Sequence, residues 1–298
     1  MNSPVCSLCC AATQSRMSKL ALETTILTHG VPRPSALPLA RELGRLAQEN
    51  RAEPCLVGVY RGSPLASMTE PQLTEMLESP SVTKANSANL GVLMHRRQHA
   101  STTVAATMEI AAGAGIRVFS TGGIGGVHKG FAQHLDISAD LIALTRFPVA
   151  VVASGVKSIL DVPATREMLE TLGVPVIGFQ TDRFPAFYLR DSGVGVDARF
   201  DDVSELASFV RAELNRTGRG LLIANPIPRE SELPPHQFGA WLKEAESRVG
   251  PGAGRDATPR TLAALHELSD GATLEANLAL IRSNTVLGAR IAAEFGNH

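Results

Sequence analysis

Short apolar runs rich in β-branched residues alternate with amphipathic segments along this chain. Ile116–Ser120 and Val149–Ala153 are typical of buried strands, and Ser35–Glu49 and Val203–Asn215 repeat their apolar residues at helical spacing. Strands that alternate with helices predict a parallel sheet, in which ligands bind beyond the carboxyl ends of the strands. The residues that directly follow the predicted strands are therefore the first candidates for a functional site.

The first predicted strand carries an acidic residue. Ala21–Thr28 is apolar and β-branched, contains Glu23, and is ended by His29, Gly30 and two prolines. A carboxylate is costly to bury unless it is paired or used in function. Taken alone, the pattern favours a solvated face for Glu23, and a buried functional carboxylate is the alternative.

Four glycines crowd the segment Thr121–Gly126, and His128 and Lys129 follow closely. Glycine allows a ligand to approach the backbone. The segment matches neither a phosphate-binding P-loop nor a dinucleotide fingerprint, because the glycine spacing of both motifs is absent. The glycines therefore predict either a ligand-binding loop or a plain tight turn.

Two aspartates and a serine occupy alternate positions after this loop, at Asp136, Ser138 and Asp140. Acidic and hydroxyl groups at the start of a predicted helix cap its first turn. With His128 nearby, the two carboxylates are also hard donors suited to magnesium or manganese. The capping role and the metal site both stay open at this point.

Two lysines receive different predictions. Lys157 lies four residues past the strand at Val149–Ala153, where partial desolvation favours a neutral, nucleophilic amine. A phosphate-binding or structural lysine fits that position equally well. Lys84 lies in a polar segment, which predicts a solvated surface residue.

The composition of the chain narrows its possible partners and its cellular compartment. The 298-residue chain has a formal net charge of −1, which provides no electrostatic reason to expect binding to nucleic acid or to a membrane. Three of its four cysteines cluster in the first ten residues, which is not a secreted disulfide framework and favours the reducing cytoplasm. We predict a poorly ordered tail over residues 1–17, rather than a zinc site, and a single catalytic domain over residues 18–298.

Several sequence blocks from about Ala21 to about Ala293 carry a family resemblance. In chain order they are ALETTILTHGVPRP, TTVAATM, VFSTGGIGGVHKG, DISADL, GVKSILD, TREMLETLGVPVIGF, FPAFYLRDSG, NPIP and LEANLAL. Together they resemble the pseudouridine-5′-phosphate glycosidase family, which is also called pseudouridylate synthase or indigoidine synthase A-like. The joint order and spacing of the blocks, rather than any single one, carry the resemblance.

The resemblance implies a three-layer α/β/α sandwich around a mostly parallel or mixed sheet. It implies a lyase, of the carbon–oxygen hydro-lyase class, that reversibly cleaves the C-glycosidic bond of pseudouridine 5′-phosphate to uracil and ribose 5-phosphate through a lysine imine with the ring-opened sugar. It also implies Mn²⁺ or another divalent cation, a homotrimer, and a cytoplasmic location. By position it assigns the nucleophile to Lys157, the proton donor to Glu23, the metal ligand to Asp136, and substrate contacts to Lys84, Val104, Ser138, Ala139, Asp140 and Asn277.

These residue types suit a C–C glycosidic bond. Uracil has no heteroatom to protonate as a leaving group, so the usual pair of glycosidase carboxylates is poorly suited to the reaction. An amine that attacks C1′ opens the ribose and holds it as an imine, and a carboxylic acid protonates the uracil carbon. We expect the apolar strand around Glu23 to raise the pKa of this acid.

One departure from the family pattern follows Lys84. The family usually continues with a Ser-Arg-Arg-Asp-Leu-like run, whereas this chain has Ala-Asn-Ser-Ala-Asn-Leu. The change removes two bidentate anion donors. Two alternatives therefore stay open: a lyase on the same scaffold for another C-nucleoside or sugar phosphate, and a non-catalytic ligand-binding protein on this fold.

Overall fold

A computed structural model describes residues 17–131, 135–250 and 257–296. Apart from Met17, the predicted tail with its cysteine cluster lies outside the described residues. The single domain over residues 18–298 stays a prediction. Within the described ranges, no helix is both long and apolar enough to cross a membrane.

One mixed sheet organises the described chain. Its strand order is β4-β5-β2-β1-β6-β7-β10-β8-β9, and β3 pairs with β2. All pairings are parallel except those of β2 with β3 and with β5. The strands are β1 (Ser18–Glu23), β2 (Ala52–Tyr60), β3 (Ser63–Leu65), β4 (Thr83–Ala85), β5 (Ala100–Thr102), β6 (Val118–Ser120), β7 (Ala150–Ala153), β8 (Val176–Phe179), β9 (Ala198–Phe200) and β10 (Leu221–Ala224).

Helices flank this sheet, which confirms the predicted α/β architecture. The last helix, α10, packs against β1, β6 and β7 and also contacts α1 and α7, whereas α4 packs against β1, β2 and α5. The helices are α1 (Arg33–Glu49), α2 (Glu70–Glu78), α3 (Leu90–His95), α4 (Val104–Gly113), α5 (Ala139–Arg146), α6 (Val162–Thr171), α7 (Val203–Thr217), α8 (Pro235–Val249), α9 (Ala257–Leu268) and α10 (Ala272–Phe295).

The strand predicted over Ala21–Thr28 ends earlier than expected. β1 stops at Glu23, and a short π-helix spans Ile26–Gly30. The threonines that favoured a longer strand make side-chain hydrogen bonds instead. Thr24 Oγ1 donates to the Val57 carbonyl at 3.0 Å, and Thr25 Oγ1 donates to the Thr102 carbonyl at 2.7 Å. These bonds turn the chain at the carboxyl end of β1 and leave Glu23 as the last residue of the strand.

A glycine sets the path of the chain after β7. Gly155 has φ of +72°, and a Cβ atom there would lie 1.8 Å from the carbonyl oxygen of Pro185. Only glycine fits this conformation and this close backbone approach. The turn directs Val156 and Lys157 back along the loop that follows β6, where Val156 bridges to Ile124.

Candidate active site

A cleft lies at the carboxyl edge of the sheet, where the ends of β1, β6 and β7 meet. It encloses about 850 Å³, including its open mouth. Glu23 at the end of β1, the backbone of Gly122 and Gly123 after β6, and Lys157 after β7 line it together. Lys84 from β4 completes the group, so four predicted features of the sequence share one cavity.

Glu23 is the acidic group of this cleft. Burial raises the pKa of its carboxyl to about 6, against the opposing influence of the Lys157 charge and of a hydrogen bond from the Thr121 hydroxyl. The half-buried position of Glu23 in the cleft rules out the solvated face, and the direction of the pKa shift agrees with the expectation from the apolar strand. The group therefore exchanges a proton in the pH range where a general acid is most useful.

Lys84 is half-buried rather than a solvated surface residue. It is the central residue of β4, paired in register with Ser101 of β5, and its carbonyl accepts a hydrogen bond from Asn89 Nδ2 at 3.0 Å. Burial lowers the pKa of the Lys84 ammonium, and the charge of Lys157 lowers it further, while Glu23 raises it. A strand of three residues has too little pattern to be predicted, which is why composition alone misplaced this lysine.

Backbone hydrogen bonds between two loops hold Lys157 beside the glycines. The Ile124 amide donates to the Gly155 carbonyl at 3.0 Å, and the Lys157 amide donates to the Ile124 carbonyl at 3.1 Å. The two loops thus extend the pairing of β6 with β7 beyond the ends of the strands. The Lys157 side chain is half-buried in the cleft that they form.

A buried asparagine on α10 fastens the same loops. Asn284 Nδ2 donates to the Thr121 carbonyl at 2.8 Å, and Asn284 Oδ1 accepts from Asn225 Nδ2 at 2.9 Å. Ser154 also lies within hydrogen-bonding distance of Asn284 Nδ2, at 3.2 Å. One fully buried side chain thus joins the residues that follow β6, β7 and β10.

Asp140 acts on the loop rather than on the cleft. Its two carboxylate oxygens accept from the amides of Ala105, at 2.9 Å, and Gly125, at 2.8 Å. Ser138 caps α5 and accepts from the Asp140 amide at 3.2 Å, so the capping prediction is confirmed. The residues predicted as substrate contacts that do not line the cleft are Val104, Ser138, Ala139 and Asp140.

The predicted metal ligand lies outside the cleft lining. The Asp136 side chain is 44% exposed, and its Oδ2 lies 3.8 Å from His128 Nδ1. Among the described residues, no group of three or more histidine, cysteine, aspartate or glutamate side chains is arranged to hold a metal ion. The donor types present, one carboxylate and one imidazole, fit only a site in which water or substrate supplies most of the ligands.

Five further residues line the cleft. Asn277 was predicted as a substrate contact, and the other four were not predicted as site residues. His29 lies beyond the end of β1, and burial together with the Lys84 charge lowers its pKa. The others are Phe187, Tyr188, His266 and Asn277. The aromatic pair comes from the block FPAFY, whose share of a chain with 4% aromatic residues was the available signal. No feature of the sequence marked His266 as a site residue, because a single histidine in a helix can have many roles.

Comparison with known proteins places the chain in a family. A family model described as indigoidine synthase A-like protein matches residues 10–294. The chain belongs to this family. The result confirms the resemblance carried by the sequence blocks and matches the fold described above.

Curated relatives and solved structures agree with this family. A pseudouridine-5′-phosphate glycosidase of Methylobacterium nodulans is 45% identical over 92% of this chain and 82% of its own length. Another with that name, from Nocardioides, is 43% identical over 93% of this chain and 91% of its own. An indigoidine synthase A-like protein from Thermotoga maritima matches with a TM-score of 0.87 and 35% identity over 94% of each chain. The prealnumycin C-glycosynthase AlnA, solved with ribulose 5-phosphate, matches with a TM-score of 0.87 and 30% identity over 94% of this chain and 92% of its own.

The raised pKa of Glu23 predicts a pH-dependent cost to stability. The folded carboxyl titrates at about 6 and its ordinary value is 4.5, so the folded state loses stability as pH rises between these values. Above pH 6 the buried charge costs about 1–2 kcal/mol. Glu23→Gln should therefore raise the free energy of unfolding by about this amount at pH 8, and by much less at pH 5. Urea unfolding at the two pH values measures the difference.

The matched control for this measurement is Glu78→Gln, because Glu78 is an exposed glutamate at the end of α2. It should leave the free energy of unfolding nearly unchanged at both pH values. A Glu23→Gln protein that is less stable than wild type at pH 8 would contradict the assignment of a buried, desolvated carboxyl.

Proposed function

We propose that this protein is a pseudouridine-5′-phosphate glycosidase, an enzyme that reversibly cleaves the C1′–C5 bond of its substrate to release uracil and ribose 5-phosphate. The observation that carries the proposal is the presence of Glu23, with its raised pKa, and Lys157 in one cleft. The relatives named above support the same substrate. A non-catalytic binding protein would have no use for this acid and amine.

Lys157 begins the reaction as the nucleophile. Its Nζ, as the neutral amine, attacks C1′, and the new N–C1′ bond forms as the C1′–O4′ bond breaks. The nitrogen gives up one proton and O4′ takes up one, so the nitrogen is again a neutral amine. The ribose is then an open chain, with C1′ bonded both to the lysine nitrogen and to C5 of uracil. This step needs an amine rather than a guanidinium, because a guanidinium stays protonated and cannot attack.

Glu23 completes the cleavage as the general acid. The carboxylic acid gives its proton to C5 of uracil, the C1′–C5 electron pair stays with the uracil, and the nitrogen lone pair forms the C=N bond. Water then hydrolyses this imine, which releases ribose 5-phosphate as the aldehyde and frees Lys157. In the reverse direction the ionised Glu23 removes the C5 proton, so a pKa of about 6 serves both directions near neutral pH.

Lys84 is the proposed partner of the substrate phosphate. In the free protein its charge is disfavoured by burial and by Lys157, and a phosphate dianion would relieve this cost. Arg96 and Arg97 are the nearest arginines along the chain, but both are exposed and neither lines the cleft. Among the described lining residues no arginine is present, so Lys84 acts without the bidentate donors that the family pattern contains.

This arginine-free lining favours one alternative function. A lyase with the same lysine imine that acts on another C-nucleoside or sugar phosphate would need the same Glu23 and Lys157 but a different anion site. The structural neighbour AlnA, a prealnumycin C-glycosynthase solved in complex with ribulose 5-phosphate, supports a different sugar phosphate as the ligand of this fold. Comparing turnover of pseudouridine 5′-phosphate with that of other pentose 5-phosphate C-glycosides separates the two functions.

We further propose a divalent cation, Mn²⁺ in the first place, held by Asp136 with His128 beside it. Such a cation would supply positive charge for substrate oxygens, and hard cations of this size often keep several water ligands. Lys157, Glu23 and water carry the covalent and proton-transfer steps of the proposed mechanism. From the family resemblance we also propose a homotrimer located in the cytoplasm.

Replacing Lys157 tests the nucleophile. Lys157→Arg keeps the charge and Lys157→Ala removes it, and both should reduce uracil release from pseudouridine 5′-phosphate by about a thousandfold or more. Both proteins should keep the circular dichroism spectrum of the wild type. Lys243→Arg, at an exposed position of α8, is the matched control and should turn over normally. Near-normal activity of Lys157→Ala would contradict the proposal, and an inactive wild type would contradict the substrate.

Replacing Asp136 tests the cation site. Asp136→Asn should weaken Mn²⁺ binding by about tenfold or more, because it removes the carboxylate of the proposed cation site. The electron paramagnetic resonance signal of free Mn²⁺ measures the binding. Asp270→Asn, an exposed aspartate before α10, is the control and should bind as the wild type does. Unchanged Mn²⁺ affinity in Asp136→Asn, or full turnover after exhaustive chelation, would remove the cation from this account.

A further inference from the structure

We propose that His266 determines which nucleobase the cleft accepts, from an uncharged wall that α9 and α10 contribute to it. The inference rests on the proposed function, because it assigns one part of the same cleft to the base. His266 lies on α9 and lines the cleft. Burial, rather than a charged neighbour, lowers its pKa. Three observations support the assignment: its anchoring, its neighbour on α10, and the position of the charged groups.

A chain of hydroxyl groups fixes the His266 ring. Its Nδ1 lies 2.6 Å from Thr273 Oγ1, and Thr273 Oγ1 lies 2.9 Å from Ser269 Oγ. Thr273 and Ser269 are both buried, so these bonds are shielded from water. The anchoring leaves Nε2 as the ring atom available to a ligand, and no hydrogen bond to Nε2 occurs within the described ranges.

Asn277 lies one helical turn beyond Thr273 on α10, and it lines the cleft beside His266. The residue is 8% exposed, and its Oδ1 is buried without a hydrogen-bond partner among the described residues. An amide oxygen only accepts hydrogen bonds, so it needs an N–H or O–H group from the ligand. A phosphate dianion offers only acceptor oxygens, so Oδ1 favours a ligand with an N–H group over a phosphate at this wall.

The charged groups of the cleft lie on other elements. Lys84 on β4, His29 after β1 and Lys157 after β7 are the cationic or titratable nitrogens besides His266. Burial lowers the pKa of His266, which favours the neutral imidazole at pH 7. The phosphate and ribose therefore occupy the lysine side of the cleft, and the base lies against the neutral wall.

A neutral imidazole and an amide oxygen match the edge of uracil. Uracil presents N–H donors next to carbonyl acceptors, and Asn277 Oδ1 accepts from such an N–H while His266 Nε2 contacts the adjacent polar atom. A ligand that leaves a buried polar group of the site without a hydrogen-bond partner binds much more weakly, so such groups discriminate strongly between ligands. His266 thus distinguishes bases by their hydrogen-bonding edge rather than by charge.

The reverse reaction tests this assignment, because it takes uracil and ribose 5-phosphate as separate substrates. His266→Asn keeps a polar atom at the Nδ1 position and has none at Nε2, whereas His266→Gln retains one near Nε2. His266→Asn should raise KM for uracil by about 3- to 10-fold, and His266→Gln should raise it less. In both variants, KM for ribose 5-phosphate and reductive trapping of ribose 5-phosphate by borohydride should equal those of the wild type.

The controls separate binding from proton transfer and from structure. Thr273→Val loosens the ring and should raise KM for uracil while sparing ribose 5-phosphate; His236→Asn, on the exposed side of α8, should change neither constant. An unchanged KM for uracil in His266→Asn would overturn the inference. A lower kcat and slower trapping with the same KM for uracil would also overturn it and would make His266 a proton carrier. Failure of the wild type to make pseudouridine 5′-phosphate would instead reject the proposed function.

Discussion

The proposed mechanism depends on one acid and two amines that are confined to a single cleft. Burial raises the pKa of Glu23 and lowers the pKa of Lys84, whereas the attraction between the Glu23 carboxylate and the Lys84 ammonium opposes both shifts. The balance leaves Glu23 with a pKa of about 6, so both of its protonation states are accessible near neutral pH. In the proposed mechanism, this pKa allows Glu23 to act as an acid in one direction and as a base in the other.

The surrounding fold keeps these groups in place with satisfied polar networks. Asp140 holds the glycine-rich loop to the start of α4, and Asn284 holds the same loop to the ends of β7 and β10. Thr24 and Thr102 both donate to the Val57 carbonyl, which joins the end of β1 to β2 and β5. Buried networks of this kind rigidify a site when every member has a partner. The cleft is therefore rigid where Glu23 and Lys157 are attached.

The long elements and the chemistry of the strand ends can be predicted from the sequence. Val149–Ala153 is recognisable because it is a continuous apolar run, and Lys157 could be placed from the strand before it. Lys84 could not, because β4 is three residues long and exists only through its pairing with β5. His266 depends on a tertiary contact with Thr273, which no local pattern announces. Local periodicity thus predicts what one element does alone, and misses what two elements do together.

The most direct test of the central claim locates the covalent intermediate. The cleft contains two lysines, Lys84 and Lys157, and only Lys157 is proposed to form the imine. Borohydride added to the wild-type protein with ribose 5-phosphate should leave a reduced pentose phosphate that peptide mass spectrometry finds on Lys157. An adduct on Lys84, or no adduct on a protein that turns over, would contradict the lysine imine as assigned here.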